Sequence, residues 1–131
     1  MNLKFTGGPL RSGDFIAIAY NNHFTLGFFA GYGRGTVQYY YLTTPADTYT
    51  DYLNYKQDAS KFGPYKRANE IYAKRFANGF TKKSLWKAYV NAPHGNRIIK
   101  LENPEYILDQ ETLQKYNNSR EALIEAKIIQ Q

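Results

Sequence analysis

Apolar residues crowd the first third of the chain in short, β-prone runs rather than at helical spacing. Asp14-Phe15-Ile16-Ala17-Ile18-Ala19-Tyr20 follows a Ser12-Gly13 turn signal and predicts a first strand. Asn21-Asn22 predicts a tight turn, because Asn tolerates the left-handed backbone such turns require. A second strand is expected over residues 23–30 and a third over 36–42. Between them Gly31-Tyr32-Gly33-Arg34-Gly35 has the glycines for a sharp reversal. The first two runs are apolar at nearly every position, which predicts strands covered on both faces, as in a small closed barrel or under a packed helix. In the third, alternation puts Tyr39 and Tyr41 on one face and Tyr40 on the other. One of those faces is core; the other is a binding surface or lies beneath an insert.

The pattern changes after Thr43. Pro45 breaks the strand periodicity, and residues 49–56 read either as a short helix or as an irregular Tyr-rich loop. After Gly63-Pro64, residues 65–78 have a helical period, with Gly79 as a natural C-terminal cap. On that helix Tyr65, Ala68, Tyr72 and Phe76 share one face, and Lys66, Glu70 and Lys74 line the other with Arg67 beside them. Residues 85–91 and 97–101 predict a hairpin across the turn formers Pro93-His94-Gly95-Asn96. The tail reads as helix: Pro104 suits a first helical turn after Asn103, Asp109 starts a segment, and Asn118 with Glu121 forms a capping box. Asn117-Asn118 leaves open whether that tail is one helix or two. The reading is α+β in a single domain of 131 residues. It has a small antiparallel sheet from about 13–42 and 85–101, a basic helical insert at about 43–84, and a C-terminal helix or helix pair at about 103–130.

Charge changes this picture more than composition does. At 43% hydrophobic and 21% charged the chain is of ordinary globular make-up. No run approaches a membrane span, and Met1-Asn2-Leu3-Lys4-Phe5-Thr6 lacks the apolar core of a signal peptide, so a cytoplasmic location and no membrane partner are expected. The net charge of +6 is unevenly placed. Residues 1–55 hold three bases and three acids; residues 56–100 hold eleven Lys/Arg against Asp58 and Glu70, a net of +9; residues 101–131 hold three bases against six acids. Such segregation is the electrostatic footprint of a polyanion binder; a basic surface serving only solubility is the plainer alternative.

Catalytic chemistry is sparse. With no cysteine there is no disulfide framework and no thiolate nucleophile, and a zinc site is disfavoured. His23 and His94 both fall at expected turns, and a turn-forming role explains Asp14 as well as a chemical one does. No Gly-x-Ser-x-Gly elbow occurs. The 31–35 glycine run is followed by β-prone residues, whereas a dinucleotide loop is followed by a helix, so it reads as a hairpin tip. No enzyme activity, cofactor or metal is expected.

The stronger signal is bases interleaved with aromatics: Phe62, Tyr65-Lys66-Arg67, Lys74-Arg75-Phe76, Phe80-Thr81-Lys82-Lys83, Trp86-Lys87 and Tyr89. Lysine and arginine neutralise phosphates with release of counterions, and aromatic faces stack on bases. The candidate phosphate contacts are Lys66, Arg67, Lys74, Arg75, Lys82, Lys83 and Lys87, with Arg34 at the glycine-rich tip as a further point contact. Several of the aromatics, Tyr65, Tyr72, Phe76 and Trp86 among them, also suit a core.

Gly13-Asp14-Phe15-Ile16-Ala17-Ile18, Gly27-Phe28-Phe29-Ala30-Gly31 and Gly35-Thr36-Val37 together resemble the start of an SH3-like barrel of the Tudor or KOW kind. Ala88-Tyr89-Val90 followed by Arg97-Ile98-Ile99-Lys100 is similar to small accessory proteins of tailed phages, including DNA-binding KOW-domain proteins of T4-type phages. The resemblance implies an SH3-like antiparallel barrel and non-catalytic nucleic-acid binding, to DNA before RNA, that modulates host transcription or the nucleoid from the host cytoplasm. The alternative is an interaction module, a phage-encoded inhibitor or virion component, docking an acidic host protein surface. The sequence leaves the oligomeric state open.

Overall fold

A computed structural model describes residues 2–6, 8–20, 22–33, 36–58, 66–68, 70–77, 82–88 and 96–130. The elements are β1 (Phe5–Thr6), β2 (Phe15–Tyr20), β3 (His23–Gly33), β4 (Thr36–Thr43), α1 (Tyr49–Asp58), β5 (Lys66–Ala68), β6 (Glu70–Ala77), β7 (Lys82–Ala88), β8 (Asn96–Leu101), α2 (Pro104–Ile107) and α3 (Gln110–Glu125). The class is α+β, as expected. Strands run in the order β1-β8-β2-β3-β4-β6-β7, with β5 added beside β8. The five strands from β1 to β4 in that order are antiparallel; β6 then joins β4 in parallel. A parallel neighbour requires a crossover, and α1 lies within it.

The meander forms where the turn chemistry places it. Asn22 takes the left-handed conformation, φ 64°, between β2 and β3. The pair Gly33↔Thr36 closes the β3–β4 hairpin, so only residues 34 and 35 lie between the strands. Gly31, at φ 141°, sits at a bulge where the register shifts after Phe29. Gly27 meets a different need: a Cβ there would lie 2.6 Å from the Tyr39 ring and closer still to the Tyr40 carbonyl.

The near-continuous apolar runs are explained by burial on both faces. Phe15, Ala17, Phe24, Leu26, Phe28, Tyr40, Leu42, Ile99 and Leu101 form one core with Tyr55, Ile107 and Leu123 from the helices. Ile16, Ile18, Phe29, Val37, Tyr39 and Ile98 form a second core on the opposite face. Tyr39 and Tyr41 thus do lie opposite Tyr40. We call these the helix face and the inner face. Aromatic pairs tie the helices down: Tyr116 lies 5.3 Å from Phe28 and 4.8 Å from Phe15, and Tyr55 lies 5.7 Å from Phe24.

The sheet is strongly curled. β5 lies beyond β8 and β6 beyond β4, five inter-strand steps apart, or roughly 24 Å if flat. A single residue separates those two strands, and two residues of chain span at most about 7 Å. The sheet is not closed: its path ends at β1 and β7.

The basic segment departs from expectation in two elements. Residues 66–68 and 70–77 are strand, not helix. Glu70 and Lys74, like Tyr72 and Phe76, are spaced by four, a spacing that shares a face in a strand as well as in a helix; Lys66 falls on the separate strand β5. Parallel pairing with β4 and antiparallel pairing with β7 settled the choice. The 85–101 hairpin also does not form, although both its strands exist. Both edges of β8 are taken, by β2 on one side and by β1 and β5 on the other. β7 instead pairs with β6 across residues 78–81.

The tail is a single helix after the short α2. Asp109 caps α3, its carboxylate accepting the Thr112 backbone N–H at 2.8 Å. Asn118 lies inside α3 and accepts from Gln114 at 3.0 Å, so the second capping box is absent.

Candidate nucleic-acid interface

Every predicted phosphate contact except Arg34 falls on β5, β6 or β7. Arg34 lies outside the described residues, as do Phe62, Tyr65, Phe80, Thr81, Tyr89 and His94.

Register sorts these bases into two sets. Val37↔Ile71 and Tyr39↔Ala73 carry the inner face across from β4 to β6, while Gln38↔Tyr72 and Tyr40↔Lys74 carry the helix face. The β6–β7 pairs Tyr72↔Lys87, Lys74↔Leu85 and Phe76↔Lys83 extend the helix face onto β7. On that face Tyr72, Lys74 and Phe76 follow one another along β6, with Tyr72 and Phe76 opposite Lys87 and Lys83 and Lys74 opposite Leu85. The sequence expectation of separate basic and aromatic stripes on opposite sides of a helix is thereby corrected: strand periodicity brings Tyr72, Lys74 and Phe76 to the same side.

The other parity holds Ile71↔Ala88, Ala73↔Trp86, Arg75↔Ser84 and Ala77↔Lys82. Trp86 therefore falls at a position continuous with Tyr39 and the inner core. Arg75 and Lys82 share its parity but lie beyond the last β4 pair, Tyr40↔Lys74.

β5 is divided as well. Lys66↔Ile98 puts Lys66 on the inner face, whereas Arg67 faces Arg97 and, across β8, Ala19 on the helix side. Parity reverses between β5 and β6: Arg67 lies on the same side as Tyr72 and Lys74. The fold thus gathers Arg67, Lys74, Lys83 and Lys87 on one side and sets Lys66, Arg75 and Lys82 on the other. Arg97 is the base that site reasoning from sequence left out; its place in an expected strand was the available signal. The described helices pack chiefly on β3 and β4.

The remaining polar groups have structural duties. Asp14 accepts the Arg11 N–H at 2.8 Å and pairs with Lys100 at 3.7 Å, while its backbone and that of Gly13 bond to Phe29. That is the turn-forming role. A shallow open cleft is lined by Ser12, Gly13, Asp14, Arg120 and residues 128–130, and its one acid is the same engaged Asp14. Among the described residues no group of three or more His, Asp or Glu is placed to hold a metal ion. No described helix is long and apolar enough to cross a membrane. Burial raises the Tyr39, Tyr40 and Tyr116 phenols above their ordinary range, in keeping with core positions.

Comparison with protein-family models, curated proteins and solved structures finds no match for this chain.

Proposed function

We propose that this protein binds nucleic acid without catalysis, through the bases of β5, β6 and β7. The observation that carries the reading is the β6–β7 register, which sets Tyr72 and Phe76 opposite Lys87 and Lys83 on one face. Lysines there neutralise phosphates and the neighbouring aromatics offer flat apolar surface to sugars or bases. Arg67 and Arg97, directly opposite in register, add a second focus of positive charge. Like charges so placed repel each other until an anion lies between them. The acidic C-terminal segment places α3 against β4, the strand next to β6.

By the resemblance of its first strands, the curled sheet is a variant of the SH3-like barrel, and the protein acts as a phage accessory factor on host transcription or the nucleoid. Fluorescence anisotropy with DNA, RNA and heparin at two salt concentrations tests the binding. The expected result is polynucleotide binding whose log affinity falls with log salt by about 0.7–0.9 for each phosphate neutralised. No shift with any polynucleotide at low salt would falsify it, and a stoichiometric acidic protein copurifying without nucleic acid would put a protein surface in its place.

A further inference from the structure

The β6–β7 pair outruns the sheet. β4 pairs with β6 only from Glu70 to Lys74, while β6 and β7 stay paired to Ala77↔Lys82. The last three pairs, Arg75↔Ser84, Phe76↔Lys83 and Ala77↔Lys82, therefore form a two-stranded ribbon with no third strand beside β6 among the described residues. At about 3.3 Å per residue this extension is roughly 10 Å long.

Its chemistry changes where it leaves β4. Along the inner parity the base of the pair reads Ile71, Ala88, Ala73 and Trp86, in register with the buried Val37 and Tyr39. Past the final β4 pair the same parity reads Arg75, Ser84, Ala77 and Lys82. On the opposite parity Lys83 lies within the ribbon, and Lys74 stands at its root in the last pair with β4. Bases thus occupy both faces of the ribbon from the point where the sheet no longer covers it.

A flat polyanionic surface meets one face of a ribbon. A groove with phosphates on both walls meets two. We propose, resting on the nucleic-acid reading above, that this ribbon enters the major groove of B-form DNA. Lys74 and Lys83 then neutralise one phosphate wall and Arg75 and Lys82 the other. The major groove, about 12 Å wide and 8.5 Å deep, admits a two-stranded ribbon of this length. The major groove of A-form RNA is too narrow and deep for it.

The test compares duplex DNA, duplex RNA of the same sequence and single-stranded DNA, with chemical protection of guanine N7, an atom exposed in the major groove. Duplex DNA should bind about tenfold more tightly than duplex RNA, with N7 protected. The R75A/K82A and K74A/K83A variants should each lower the salt slope by about 2, while the charge-keeping R75K/K82R variant retains it. Circular dichroism checks that each variant folds, and N7 protection by the unaltered protein reads groove occupancy without any variant. Equal affinity for duplex RNA, preference for single strands, bound DNA with N7 unprotected, or loss confined to K74A/K83A overturns the groove and leaves a one-faced nucleic-acid contact. Absence of binding to every polynucleotide overturns the underlying reading as well.

Discussion

The Asp51 carboxylate on α1 accepts the backbone N–H of Leu3 at 2.7 Å, fastening the segment before β1 to a helix 48 residues away in sequence. Asp51 is only 3% exposed, and its second oxygen has no hydrogen-bond partner. Burial raises its pKa above the ordinary 3.8, outweighing the Leu3 N–H, which lowers it. The folded state therefore holds this proton more tightly than the unfolded chain, and stability from this group falls as pH rises from about 3.8 through the folded pKa. Asp51→Asn keeps an acceptor for Leu3 and removes the buried charge. It should be more stable than the parent at neutral pH, with the difference vanishing below pH 3.8 in urea titrations. Asp51→Ala, which orphans the Leu3 N–H, should cost about 1–3 kcal/mol.

Asp109 has the opposite sign. Its pKa is lowered, chiefly by the hydrogen bond from the Thr112 backbone N–H. Its contribution is present above the unfolded value of 3.8 and lost as pH falls through the folded pKa. Asp109→Ala should cost about 1 kcal/mol at neutral pH and progressively less in acid, as read from unfolding midpoints at several pH values.

Gly27→Ala tests the close approach of β3 to β4. The added methyl meets the Tyr39 ring and the Tyr40 carbonyl, and a backbone carbonyl within a ladder has little room to yield. A loss of about 2–3 kcal/mol is expected in equilibrium unfolding, whereas Gly8→Ala meets no atom within 4 Å and isolates the backbone effect of its φ of 111°.

Helix α3 ends in a Schellman motif whose left-handed residue is Lys127, at φ 60°, with Ile128 N–H bonded to Leu123 O at 2.9 Å and Lys127 N–H to Ile124 O at 2.9 Å. Lysine pays roughly 1–2 kcal/mol for that conformation. Lys127→Gly should raise the melting temperature, by less than this strain alone implies because glycine also loosens the unfolded chain.

Arg67 lies directly opposite Arg97 in the β5–β8 register, so the proposed binding role and the stability of the free protein make opposite demands on it. Arg67→Thr should raise the melting temperature of the free protein at low salt, by the equivalent of about 0.2–1 kcal/mol. The same change should weaken polynucleotide binding and reduce its salt slope by about 1. Improved stability with unchanged binding would remove Arg67 from the interface.

The three meander strands β2, β3 and β4, the two-sided burial of Phe15–Ala19 and Phe24–Phe29, the Asn22 turn and the Asp109 cap were all legible in the sequence, because each depends on local backbone preference or on a run of apolar residues; β1, only two residues long, was not. So was the concentration of charge between Lys56 and Lys100. The structure of that basic segment was not. Residues spaced by four satisfy helix and strand alike, so Glu70–Lys74 gave no sign of its partner, and Gly79 read as a helix cap. Strand pairing is a contest for edges between segments far apart in the chain. Only the tertiary structure decided that β8 fills both its edges, that β6 lies parallel to β4, and that Asp51 holds Leu3. That same pairing decides which of the bases stand on one face: the sequence determines how much positive charge there is, and register determines where it is presented.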